Sequence, residues 1–126
     1  MKKIILIFSL LIFGFIFSQE ISKDADVITE QIAEFPDGGY NNFRKLVEEN
    51  FREKKVLGKG KEFCELKFVI ERDGSITDVT AKGTNESFNK EAIRAISKIK
   101  TKWNPAKING QAVRYRFRIP LNLDFN

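Results

Sequence analysis

The chain has 126 residues, 22 Lys+Arg against 17 Asp+Glu, a formal charge of +5 and 42% hydrophobic residues. That length and balance fit one globular domain and exclude a disordered or multidomain chain. There is no His and one Cys, which excludes His-based acid–base chemistry, His metal ligation, an intrachain disulfide and Cys-ligated metal clusters.

Lys2 and Lys3 open the chain, residues 4–17 are apolar apart from Ser9 and Gly14, and Ser18, Gln19 and Glu20 follow. A basic start, an apolar run and a small residue at its end read as a secretory signal peptide over residues 1–18, cleaved near Ser18. The protein is then exported to the periplasm and keeps no membrane span. The alternative is an inner-membrane anchor formed by residues 4–17, although a spanning helix needs about 20 apolar residues and this run is shorter. Removing residues 1–18 leaves 108 residues and a charge of +3, from 20 basic and 17 acidic side chains. The charge is lopsided: −5 over residues 19–53, +1 over 54–89 and +7 over 90–126.

Residues 19–39 read as an N-terminal arm, extended over 27–35 and broken by Pro36-Asp37-Gly38-Gly39. The spacing of Phe43, Leu46, Val47, Asn50 and Phe51 predicts a helix over 40–52, with Asp37 placed to favour its exposed N–H groups. A basic linker with Gly58 and Gly60 leads to the alternation of Cys64, Leu66, Phe68 and Ile70, a half-buried strand. Asp73-Gly74 signals a hairpin, and Ser75 to Lys82 is the return strand. Ser87 is the expected cap of a second helix over 89–102, whose stripe is Phe88, Ala92, Ala95, Ile96, Ile99 and Trp103. Asn104-Pro105 ends it, and Asn109-Gly110 marks a further turn. In the last strand Val113, Tyr115, Phe117, Ile119, Leu121 and Leu123 alternate with Arg114, Arg116 and Arg118. Pro120 predicts that this strand lies at an edge or stops pairing there. The order helix–strand–strand–helix–strand gives an α+β domain over 40–126: a three-stranded antiparallel sheet with two helices on one face and the last strand at an edge.

Several motifs carry a family resemblance. They are Phe68-Val69-Ile70-Glu71-Arg72-Asp73-Gly74-Ser75-Ile76, Asn89-Lys90-Glu91-Ala92-Ile93, Trp103-Asn104-Pro105-Ala106-Lys107-Ile108-Asn109-Gly110 and Ile119-Pro120-Leu121-Asn122-Leu123. Phe35-Pro36-Asp37-Gly38-Gly39 adds a lead-in. Together they resemble the TonB C-terminal domain family, in the short secreted form common in Bacteroidetes. The resemblance implies a non-enzymatic, cofactor-free periplasmic module that serves transmembrane transport. It implies binding of an outer-membrane TonB-dependent transporter, or another envelope protein, by β-augmentation beside the last strand. The partner-binding residues are then Val113, Arg114, Tyr115, Arg116, Phe117, Arg118 and Ile119. The chain departs from the family in three ways. It lacks the Tyr-Pro after the first helix, it has no Pro-rich spacer, and its N-terminal segment has no His. A domain released from the membrane cannot transmit force, so the rival reading is a structural or regulatory envelope protein that has lost the energy-transducing role. Such a protein would bind peptidoglycan or an acidic partner through the basic C-terminal third.

The Arg114, Arg116 and Arg118 ladder reads either as a solvated sheet face balanced by Glu65 and Glu71, or as an anionic-partner surface that also guards the edge. Export and the lack of stacking aromatics on that face argue against nucleic acid. An exposed edge also admits pairing with a second copy of the chain. Cys64 and Trp103 read as core residues. No catalytic, cofactor-binding or metal site is expected.

Overall fold

The computed structural model describes residues 4–8, 11–16 and 28–125; the expected cleavage point at Ser18 and residues 19–27 of the arm lie outside the described residues. The chain order is β1 (Ile4–Phe8), β2 (Leu11–Ile16), β3 (Glu30–Gln31), α1 (Gly39–Asn50), a 3-10 turn at Glu53–Lys55, β4 (Gly60–Ile70), β5 (Ile76–Lys82), α2 (Glu86–Ser97), β6 (Ala106–Ile108) and β7 (Gln111–Phe125). The sheet runs β3-β6-β7-β4-β5, and β1 and β2 also pair with β7.

The expected α+β plan of two helices on an antiparallel sheet holds, with β5-β4-β7 as the three expected strands. The sheet is wider than three strands for two local reasons. Asn109 (φ 50) and Gly110 (φ 79) both take positive φ, the geometry of a tight primed turn, so Ala106–Ile108 folds back on the start of β7. Asn109 also binds the arm: its backbone N–H donates to the Thr29 carbonyl (2.8 Å), and its Oδ1 accepts from the Thr29 N–H (3.0 Å). That clamp sets β3 beside β6 and leads Ala33 and Phe35 into the core.

Both helix starts differ from the sequence expectation. The N-cap of α1 is Gly38 in a left-handed conformation, with no side-chain cap bond from Asp37. Asp37 itself has φ 54, so the chain's sharp entry sets the geometry there. Asn85, rather than Ser87, caps α2, its Oδ1 accepting from the Phe88 N–H at 3.1 Å. The Ser87 hydroxyl instead accepts from the Leu57 N–H at 2.9 Å and ties the linker to the helix. Helix α2 ends at Ser97, yet Ile99 and Trp103 beyond it remain buried.

The core lies between the inward faces of β4 and β7 and the apolar faces of both helices. Trp103 is its hub. Ring centroids lie 5.2 Å from Phe35, 4.9 Å from Phe43 and 5.0 Å from Phe117, the offset and tilted arrangements that aromatic quadrupoles favour. One carboxylate enters this interior. Glu91 on α2 is 3% exposed and accepts from the Arg52 N–H (2.7 Å), Arg94 Nε (2.9 Å) and Arg94 Nη2 (2.7 Å). Arg94 also donates to the Asn50 carbonyl, so the cluster locks the C-terminus of α1 onto α2. Burial alone would raise the Glu91 carboxyl, but the hydrogen bonds from Arg94 and Arg52 outweigh it and hold its pKa below the usual value.

Candidate functional site

Strand β7 pairs with β4 along the whole of β4, from Gly60↔Phe125 to Ile70↔Tyr115. The ladder passes through Glu65↔Pro120, so pairing with β4 does not stop at the proline, and β7 is not the edge strand the sequence suggested, because β6, β2 and β1 pair along its other side. Proline lacks a donor but keeps its carbonyl, and a strand tolerates it where the missing N–H faces away from the ladder. The far side of β7 is where a partner strand could add. There Gln111, Ala112 and Val113 pair with β6, Arg114 to Arg118 lie opposite β2, and Leu121 to Phe125 lie opposite β1. Ile119 and Pro120 fall between those two stretches.

The expected partner-binding residues thus divide by chemistry. Val113 is taken by the β6 hairpin. Tyr115, Phe117 and Ile119 are buried in the core, so only their backbone is available to a partner. Arg114 donates to Glu71 through Nε (2.9 Å) and Nη2 (3.3 Å) and reaches Asp78 at 3.4 Å. Arg118 lies 3.5 Å from Glu65, which Lys67 also meets at 3.5 Å. A hydrogen bond from Thr77 and the Arg114 guanidinium together hold the Glu71 carboxyl below its ordinary pKa. Arg116 is exposed, opposite the buried Val69. The balancing carboxylates Glu65 and Glu71 are therefore in place, and Arg116 is left as the outward-facing cation of the ladder.

The edge strand on the other side of β4, β5, is irregular. The β4–β5 register shifts between Lys67 and Val69, and Asp78 has φ 51. Such a bulge blunts an edge against strand addition. Sequence reading gave no sign of it, because Asp78 sits in an otherwise ordinary strand pattern.

Cys64 is fully buried and free, and burial pushes its thiol up to about 11. An open cavity of about 280 Å³ lies between β5 and the end of α2, lined by Ser75, Ile76, Val79, Ile96, Ile99 and three polar residues after α2 among others. Among the described residues no cluster of His, Cys, Asp or Glu is arranged to hold a metal ion, and no helix is long and apolar enough to cross a membrane.

The model of the Gram-negative bacterial TonB protein C-terminal family matches residues 63–125, which spans β4 to the end of β7. The chain belongs to this family, whose members are non-enzymatic protein-interaction domains of envelope transport in the periplasm. No curated protein and no solved structure matches the chain.

Proposed function

We propose that the domain is a periplasmic docking module that takes a strand of an outer-membrane transporter on the far side of β7. The observation that supports it is β7 itself. Among the described residues it is the longest strand, held by β4 from Tyr115 to Phe125 on one side, with its inward side chains fixed in the core. Once its far side is vacant, a strand held that firmly needs no ordering before a partner's backbone pairs with it, which lowers the cost of association. The side chains that flank the added strand are Arg114, Arg116 and Arg118. Arg116 is the one that meets the partner without first leaving a carboxylate.

The test is site-specific photo-cross-linking in cells from Arg114, Arg116 and Arg118, positions whose replacement leaves the core intact. An outer-membrane transporter is the expected product. Cross-linking that yields no such transporter from any of the three positions overturns the reading.

A further inference from the structure

The edge assigned to the partner is already covered by the chain's own N-terminal strands. Strand β1 runs antiparallel to β7 from Ile4↔Phe125 to Phe8↔Leu121. Strand β2 continues in the same register with Leu11↔Arg118 and Ile12↔Phe117, then shifts by one residue to Phe15↔Tyr115 and Ile16↔Arg114. One apolar segment therefore follows β7 across nearly its whole length. It occupies the backbone positions that β-augmentation would use, and one strand edge pairs with one strand at a time.

The segment is suited to this role. Residues 4–16 are almost entirely Ile, Leu and Phe, and Ile and Phe favour strands. It is tethered to the domain, so its local concentration is on the order of millimolar. The register places Ile119 and Pro120 between the two paired stretches. The one residue of β7 that cannot donate a hydrogen bond therefore falls where the outer ladder has a gap. Without an occupant, about half of residues 114–125, those whose N–H and C=O face away from β4, would present unpaired groups, a hazard for aggregation.

We propose that the strands at residues 4–8 and 11–16 plug the far side of β7, closing it to partner strands while attached and opening it when they are removed or displaced. This rests on the docking reading above. A binding site that is open only a fraction of the time shows an affinity reduced by that fraction, so a plug closed nine-tenths of the time or more weakens an incoming strand about tenfold or more.

The experiment uses the full chain. Leu6→Pro with Ile7→Pro, and Leu11→Pro with Ile12→Pro, place prolines at consecutive positions. One of each pair then loses a donor that faces β7, whichever way the segment alternates. Amide hydrogen exchange over residues 114–125 should rise roughly tenfold or more, while β4 stays protected. Equal exchange in the wild-type and proline chains overturns the plug. A second measurement does not depend on those variants folding. Ile5→Cys with Asp124→Cys, partners in the β1–β7 register, should form a disulfide under mild oxidation, whereas Ile5→Cys with Arg116→Cys should not. Failure of the in-register pair to close, or equal closure of both, also overturns it. If exchange rises but the opened edge captures no transporter from Arg116, the plug stands and the docking reading falls.

Discussion

Gly74 is the position where the structure leaves least room for change. It has φ +86, and a Cβ built there would lie 2.0 Å from the Trp103 carbonyl oxygen, where ordinary contact begins near 3.4 Å. The same two residues are hydrogen-bonded, the Trp103 N–H donating to the Gly74 carbonyl at 2.8 Å. Gly74→Ala therefore carries two costs. The left-handed backbone costs an alanine about 1 kcal/mol. Moving the Trp103 backbone costs a further 1–3 kcal/mol or so, in the range of overpacked sites, plus roughly 1 kcal/mol if the hydrogen bond is lost. The stiffer unfolded chain returns about 0.5 kcal/mol, leaving a net loss of about 2–4 kcal/mol. Gly110 is the control. Its φ is +79 and nothing lies within 4 Å of a Cβ there, so Gly110→Ala bears the backbone term alone and costs about 0.5–1 kcal/mol. Trp103 is the only tryptophan and is buried among aromatic rings, so urea unfolding followed by its fluorescence reads both variants. A Gly74→Ala loss within about 0.5 kcal/mol of the Gly110→Ala loss refutes the steric reasoning.

Four further outcomes follow from the interior and the sheet face. Glu91→Gln should destabilise by about 2–4 kcal/mol, because two arginines lose a buried charged acceptor; a loss below about 1 kcal/mol in urea titration contradicts the cluster's role. The lowered folded-state pKa of Glu91 stabilises the protein above the unfolded carboxylate pKa. That contribution is lost as pH falls through the folded value, so the wild-type advantage over Glu91→Gln should shrink on acidification from pH 7 towards pH 3 or so. The Cys64 thiol, pushed up to about 11, should resist iodoacetamide at about pH 8 in the native protein and react on unfolding in urea, as mass spectrometry will show; rapid native labelling contradicts its burial. Arg114→Ala should lower the melting temperature through the loss of its contacts with Glu71 and Asp78, and Arg116→Ala should change it less; thermal melts that reverse this order overturn the division of the ladder.

The sequence made the regular elements legible because each buries one face with a clean period. Alternation marked β4 and β7, and the spacing of Phe43, Val47, Phe88, Ala92, Ala95 and Ile96 marked both helices. The signals that failed were local competitions between residues of similar chemistry. Asn85 and Ser87 are both good caps two residues apart, and the hydroxyl was drawn away by the Leu57 backbone. Asp37 had the right side chain for a cap but not the backbone geometry. Glu91 looked like an ordinary helix residue, because nothing in its own segment shows that Arg52 arrives from another element; only Arg94, three residues on, hinted at it. The edge was legible as a strand, but not the occupant that lies along it, because the apolar run of residues 4–16 reads first as a targeting segment. A run rich in Ile, Leu and Phe suits a membrane and a sheet edge equally well.

That double suitability bears on what β7 recognises. Its inward side chains are committed to the core, and two of its three outward arginines are committed to carboxylates on β4 and β5. What is left for an incoming strand is the row of backbone groups and Arg116. Backbone pairing asks only that the incoming segment be extended and free of proline at the bonding positions, and residues 4–8 and 11–16 meet that requirement without any charge matching. On the docking reading proposed above, affinity on this edge comes from the main chain and is indifferent to most of the partner's sequence. Discrimination falls to the few side chains that flank the added strand, and to whether the edge is vacant when the partner arrives. In a small domain whose inward side chains are committed to the core, control of vacancy is the strongest lever the fold offers over binding.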